Sequence, residues 1–279
     1  MPLLHVGDAE LFFHDDDFAD PWEPHDAVML QHGLGRSGKM WYGWVPHLSR
    51  DFRVLRMDLR GAGESPDPGK DIAFTLESVL ADFVRMLDAL NIEKVHYVGE
   101  SLGSMLGVAF ANAYPERVKS LTLVAAITRV RHDKTITVNS VGYPSWPEAV
   151  EALGMKEWWL RSRAATHQLT GDAAKDNWFA EQCGRTPVHV AHALLRFAPA
   201  FSVESMLRNV AVPTLLLTPG GSTASDPEEQ DMILKTIPDA RQIQYPDAWH
   251  IDCYLRPDQF ARDTLGFLRG VSGVTKPAR

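Results

Sequence analysis

Ser101 stands in the stretch Gly99-Glu100-Ser101-Leu102-Gly103, between two glycines. A serine hydroxyl becomes a nucleophile only when a base takes its proton and fixed N–H donors hold the oxyanion that forms. The pattern G-x-S-x-G alone arises by chance in roughly one chain in ten of this length, so its surroundings must carry the argument. An apolar run, 95–98, leads into it, and a small-residue helix, 102–114, follows and stops at Pro115. That is the context in which a serine is forced onto a sharp strand-to-helix turn, with glycines as neighbours because only small residues let the turn close. A second motif, His32-Gly33-Leu34-Gly35, follows an earlier apolar run, 27–31. The backbone N–H groups of Leu34 and Leu102 are candidates for the two oxyanion donors. His250, in Ala248-Trp249-His250, lies after the last strand-like run and before the last helix, where a neutral imidazole could shuttle the serine proton.

The elements that must position these residues alternate. Residues 3–14 read as two short strands joined at Gly7-Asp8, and 52–57 as a strand ending in Asp58-Leu59-Arg60-Gly61-Ala62-Gly63-Glu64-Ser65. Residues 75–91 read as a helix with Thr75 as N-cap, its apolar residues recurring at spacings of three and four. Residues 121–125, 214–217 and 241–244 are further strands, and 227–237 and 258–269 further helices, with a frayed tail past Gly270. Strands alternating with helices predict a mostly parallel sheet of about eight strands covered on both faces, with ligands beyond the carboxyl ends of the strands. The alternation breaks between 127 and 210, a helical insertion holding Trp146, Trp158, Trp159 and Trp178, half of the tryptophans.

Composition narrows the partners. The 279 residues are 45% apolar with a net charge of −8, which disfavours nucleic acid. No window approaches a membrane span. Residues 1–17 lack a basic region followed by an apolar core, so no signal peptide is expected. Cys183 and Cys253 form no CxxC unit and read as free thiols in a reduced, cytoplasmic compartment. His189 and His192 could share a helix face, but no carboxylate pattern accompanies them, and no metal is expected.

With HGLG at 32–35, DLRGAGES at 58–65, GESLG at 99–103 and AWH at 248–250, the chain resembles the α/β-hydrolase superfamily. The resemblance implies an α/β-hydrolase core over 1–126 and 211–279 and a helical lid over 127–210. It implies Ser101 as nucleophile, His250 as base, and Leu34 and Leu102 as oxyanion-hole residues, with DLRGAGES a structural turn and no metal or organic cofactor. The family's acid follows the penultimate strand in a Gly-x-x-Asp context. Here a gapless count puts that place near Ser222, and the family's second location, Ala125-Ala126-Ile127-Thr128, holds no acid. Asp226 is the nearest carboxylate and the candidate acid, although Asp226-Pro227-Glu228-Glu229 also reads as a helix start. Asp247 and Asp252 flank His250, but sequence neighbours on an extended chain point away from it.

The resulting expectation is a serine hydrolase acting through an acyl-enzyme on a small apolar or aromatic ester, lactone or activated carbon–carbon bond. Trp158, Trp178 and Phe197 are candidates to line its pocket, though each could equally belong to the insertion's own core. Arg129, Arg131, Arg161, Arg163 and Arg196 are candidates for a substrate carboxylate. The missing acid keeps open a ligand-binding protein on the same scaffold, and a cofactor-free perhydrolase. The partner is a small molecule, and a homo-oligomer is compatible with the composition.

Overall fold

The computed structural model describes residues 3–7, 9–131, 139–222, 224 and 226–273. Asp8 of the first turn, the stretch 132–138, Thr223, Ser225 and the tail 274–279 lie outside the described residues; of the tail expected to fray past Gly270, 271–272 continue the last helix and 274–279 lie outside.

Eight strands form one sheet: β1 (Leu3–Val6), β2 (Ala9–Asp16), β3 (Ala27–Gln31), β4 (Arg53–Met57), β5 (Val95–Glu100), β6 (Val118–Val124), β7 (Thr214–Pro219) and β8 (Ala240–Tyr245). Their spatial order is β1-β2-β4-β3-β5-β6-β7-β8. β1 pairs antiparallel with β2, and β2 antiparallel with β4. The other neighbours are parallel. The chain crosses from β3 outward to β4 and then back past β3 to β5. A crevice therefore opens beyond the ends of β3 and β5, where strand order reverses. HGLG and GESLG are the segments that leave those two strands.

Alternation along the strands divides the core. Ala27, Met29, Leu55, Met57, Val95 and Tyr97 belong to one buried cluster, with α1 (Leu76–Ala89) and α2 (Leu102–Ala113) packed on it. Val28, Leu30, Val54, Val98, Leu215 and Leu217 face the other, covered by Trp41, Trp44 and the C-terminal helix Pro257–Ser272. A period of two sends successive side chains to opposite faces, so both faces must be covered by helices. α1 begins where the sequence predicts: Thr75 accepts from Ser78 N–H, and Ser78 Oγ accepts from Thr75 N–H, which satisfies two donors of the first turn.

Between β6 and β7 run, among the described residues, three longer helices, α3 (Trp146–Ala165), α4 (Ala173–Gly184) and α5 (Val188–Phe197). α3 kinks at Gly154, whose φ of 68° and ψ of 164° interrupt the helical backbone. DLRGAGES is a structural turn. Asp58 accepts from the N–H groups of Gly38 and Glu64, and Ser65 Oγ donates to Asp58 O while accepting from Phe12 N–H. Burial pushes the Asp58 carboxyl up to about 7.

Candidate active site

Ser101 sits between β5 and α2 at φ 55° and ψ −115°, a conformation that strains any residue bearing a Cβ. Its neighbours explain how the chain closes there. A Cβ on Gly99 would lie 2.2 Å from Gly103 O, and one on Gly103 would lie 2.5 Å from Gln31 O. One step on, a Cβ at Gly107 would meet the Tyr97 ring at 2.4 Å. The glycines thus let α2 press against β5 and β3 while Ser101 projects from the turn. The Ser101 N–H donates to Val124 O, which ties the elbow to β6.

A cavity opens above this turn. Ser101, His250, Leu34 and Leu102 all line it, so the structure brings together four sequence-predicted residues from the ends of three strands and the start of one helix. Trp158 lines it too, its Nε1–H donating to Asn139 O at 2.7 Å and its ring stacked on Trp146. Trp178 and Phe197 are placed elsewhere, in side-chain packing. Trp178 packs edge-on against Tyr42 and Phe179, and Phe197 against Phe74 and Phe201 in the core.

His250 is held by two loops zipped together. Gly220 N–H donates to Tyr245 O and Gly221 N–H to Ala248 O, which draws the segment after β7 against the segment after β8. A Cβ on Gly220 would lie 2.7 Å from Pro246 O, so the pair of glycines is what allows this contact. As a result Ser222 Oγ lies 2.9 Å from His250 Nδ1. The place of the acid, where the gapless count falls, is taken by a hydroxyl.

Asp226, the acid expected after β7, is engaged with partners other than His250. Its carboxylate accepts from Glu229 N–H as the N-cap of the helix Pro227–Thr236 and pairs with Arg131 at 3.3 Å. The helix-start role prevails because a cap needs its carboxylate turned back onto the first-turn N–H groups. Asp252 accepts from Trp249 N–H and pairs with Arg256, so it shapes the turn that carries His250.

Three residues beside His250, Glu100, Arg36 and Tyr254, lay outside the sequence reading. Glu100, fully buried at the end of β5, places Oε1 3.3 Å from His250 Nε2. Its Oε2 is 3.3 Å from Arg36 Nη1 and accepts from Tyr254 OH at 3.2 Å. A buried strand running straight into a glutamate was the available signal, because an ionisable group is rarely fully buried without a partner. Burial drives the Glu100 carboxyl upward; Arg36, then Tyr254 OH and Gly33 N–H, pull it back. Burial, followed by Arg36 and Arg163, holds the His250 imidazole down to about 3.

The lining carries four arginines, two of which, Arg36 and Arg131, are paired with Glu100 and Asp226 behind it. Arg36, Arg129, Arg131 and Arg163 line the cavity, and among the described residues no carboxylate does. Arg163 is buried, and its hydrogen-bond partners are the neutral Gln168 Oε1 at 2.8 Å and Ser162 Oγ. Burial, then Arg36, lowers it to about 10. This cation-lined cavity belongs to an acidic chain, so it is a local feature of the site and not a consequence of composition. Cys183 and Cys253 are free, buried thiols raised by burial, which makes both poor nucleophiles at neutral pH. Among the described residues no group of three metal-ligating side chains converges, and no helix is long and apolar enough to cross a membrane.

Known proteins share this architecture. The chain is 26% identical over 276 residues to the protein named "Putative carbamate hydrolase RutD" of Azorhizobium caulinodans, covering 96% of this chain and 98% of that one. It is 25% identical over 251 residues to 3-oxoadipate enol-lactonase 1 of Acinetobacter baylyi, covering 88% and 89%. The solved structure of a thermophilic esterase from Thermogutta terrifontis, with malate bound, superposes with a TM-score of 0.76 at 26% identity, covering 94% of each chain. The model of the α/β hydrolase fold matches residues 26–257, and with the sheet order and strand-end cavity described above, the chain belongs to the α/β hydrolase fold family.

Proposed function

We propose that this protein is a serine hydrolase that cleaves a small, carboxylate-bearing ester or lactone through an acyl-enzyme on Ser101. The observation that carries the reading is the cavity itself, which holds Ser101, His250 and four arginines with no lining carboxylate among the described residues. In this mechanism Ser101 Oγ bonds to the substrate carbonyl carbon while its proton passes to His250 Nε2. The Leu34 and Leu102 N–H groups hold the oxyanion, and α2 begins at Leu102, where the helix dipole favours negative charge. The imidazolium returns the proton to the leaving oxygen as its bond to carbon breaks. Water then adds to the acyl carbon, giving its proton to His250, and the acid leaves as Ser101 recovers that proton. Arg163, buried with only neutral partners, is placed to bind a substrate carboxylate. The names of the lactonase and of the malate-bound esterase agree with acyl substrates and with an anion in such a cavity.

The assay compares p-nitrophenyl acetate with the p-nitrophenyl monoester of a short dicarboxylic acid. The expected result is preference for the anionic ester, with hydrolysis of both abolished in Ser101→Ala. Activity that survives Ser101→Ala overturns the nucleophile assignment, and equal turnover of both esters overturns the anionic substrate. The Ser222 hydroxyl at His250 Nδ1 favours a second reading, a ligand-binding protein with little turnover. Tight binding of a dicarboxylate with no hydrolysis of either ester would select it.

A further inference from the structure

The family mechanism leaves unanswered what stabilises the His250 imidazolium when a serine stands at Nδ1. A hydroxyl can accept the Nδ1–H, and so orient the ring, but it offers no negative charge. The nearest carboxylate oxygen is on the other side of the ring. Glu100 Oε1 lies 3.3 Å from His250 Nε2, is buried, and makes no hydrogen bond. The other oxygen is fully engaged by Arg36 and Tyr254. Gly33 must be glycine for this arrangement, since a Cβ there would fall 2.2 Å from Glu100 Oε2. The carboxylate is therefore clamped at one oxygen and left open at the one that faces the histidine. Two cations, Arg36 and Arg163, act on His250 in the opposite sense.

Resting on the serine-hydrolase reading above, we infer that Glu100 is the charge partner of His250. The residue preceding the nucleophile does electrostatically what an acid at position 222 would do. It acts through the histidine, as a positioning residue, and Ser222 orients the ring from Nδ1. Because both residues leave β5 from adjacent positions, nucleophile and charge are set by one rigid turn. A third loop is not needed for the charge.

The test relocates the charge. The steady-state rate on p-nitrophenyl acetate is measured for the wild-type protein, Glu100→Gln, Ser222→Asp and the double variant. Glu100→Gln is expected to lower kcat by roughly 10²-fold with KM within about threefold. Adding Ser222→Asp to it is expected to recover at least about tenfold. Glu100→Asp keeps a charge beside Arg36 for folding and withdraws it from Nε2, so it should show the same loss and the same recovery. Full activity in either Glu100 variant overturns the inference. A loss that Ser222→Asp does not repair also overturns it, since it would make Glu100 a structural support for Arg36 and Gly33. Ser101→Ala run alongside reports on the serine-hydrolase reading separately: surviving activity there rejects the nucleophile, whatever the Glu100 variants do.

Discussion

Replacing Arg163 by methionine should raise stability and lower activity toward anionic esters in the same protein. Arg163 is 8% exposed and its hydrogen-bond partners are neutral. Burial lowers it from its ordinary value to about 10, which corresponds to about 3 kcal/mol against the charged form. Methionine fills similar volume without that charge. It forfeits the bond to Gln168 Oε1 and leaves that oxygen unpaired, which costs about 1.5–2 kcal/mol. The net expectation is a gain of about 1 kcal/mol, read as a thermal midpoint about 2–4 °C higher. Toward a dicarboxylic monoester the variant loses a charge-assisted, two-point contact of about 2–4 kcal/mol, so kcat/KM should fall roughly 30- to 1,000-fold. Toward p-nitrophenyl acetate it should change little. The assay is a thermal melt together with kcat/KM on the two esters. A lower midpoint, or a parallel fall on both esters, would refute the claim that Arg163 is an ill-compensated cation kept for its substrate.

Other substitutions test the remaining assignments. Asp226→Asn keeps the cap oxygen and removes the charge, so kcat should drop less than about tenfold, against about 10⁴ for loss of a triad acid; a 10⁴-fold fall would restore Asp226 as the acid. Gly103→Ala drives a Cβ to 2.5 Å from Gln31 O, a backbone atom that cannot swing aside. It should lose about 1–3 kcal/mol in denaturant titration, and unchanged stability would refute the tight elbow packing. His32 is locked neutral, Nδ1–H donating to Gly33 O and Nε2 accepting from Leu59 N–H, and burial holds it down to about 4. Below its ordinary value of 6.5 the unfolded chain gains a proton that the folded chain refuses, so stability is lost as pH falls through that value. In His32→Gln the loss between about pH 7.5 and pH 5 should be smaller than in the wild type by about 2 kcal/mol. Equal losses would show that His32 is not the group held neutral.

Much of the frame was readable along the chain because it depends on neighbours in sequence. Strand alternation, the Thr75 cap, the glycines around Ser101 and the Asp226-Pro227 helix start are local physics, and each appears where its residues predict. Even the missing acid could be counted to Ser222, since the distance from β7 is a property of the chain. Three things required the tertiary structure. Trp178 and Phe197 have the composition of pocket residues, but their helices turn them into side-chain packing, and of the three candidates Trp158 alone lines the cavity with Ser101. The clustering of Arg36 with Arg163 joins positions far apart in sequence, so no spacing announces it. The role of Glu100 was equally hidden: its charge has meaning only because a loop after β8 lays His250 over a side chain that β5 had buried. Sequence determined which groups exist and which turns present them. The folded chain decided which charges face one another, because electrostatic partnership is set by distance through space and by exclusion of water, and neither quantity is local in sequence.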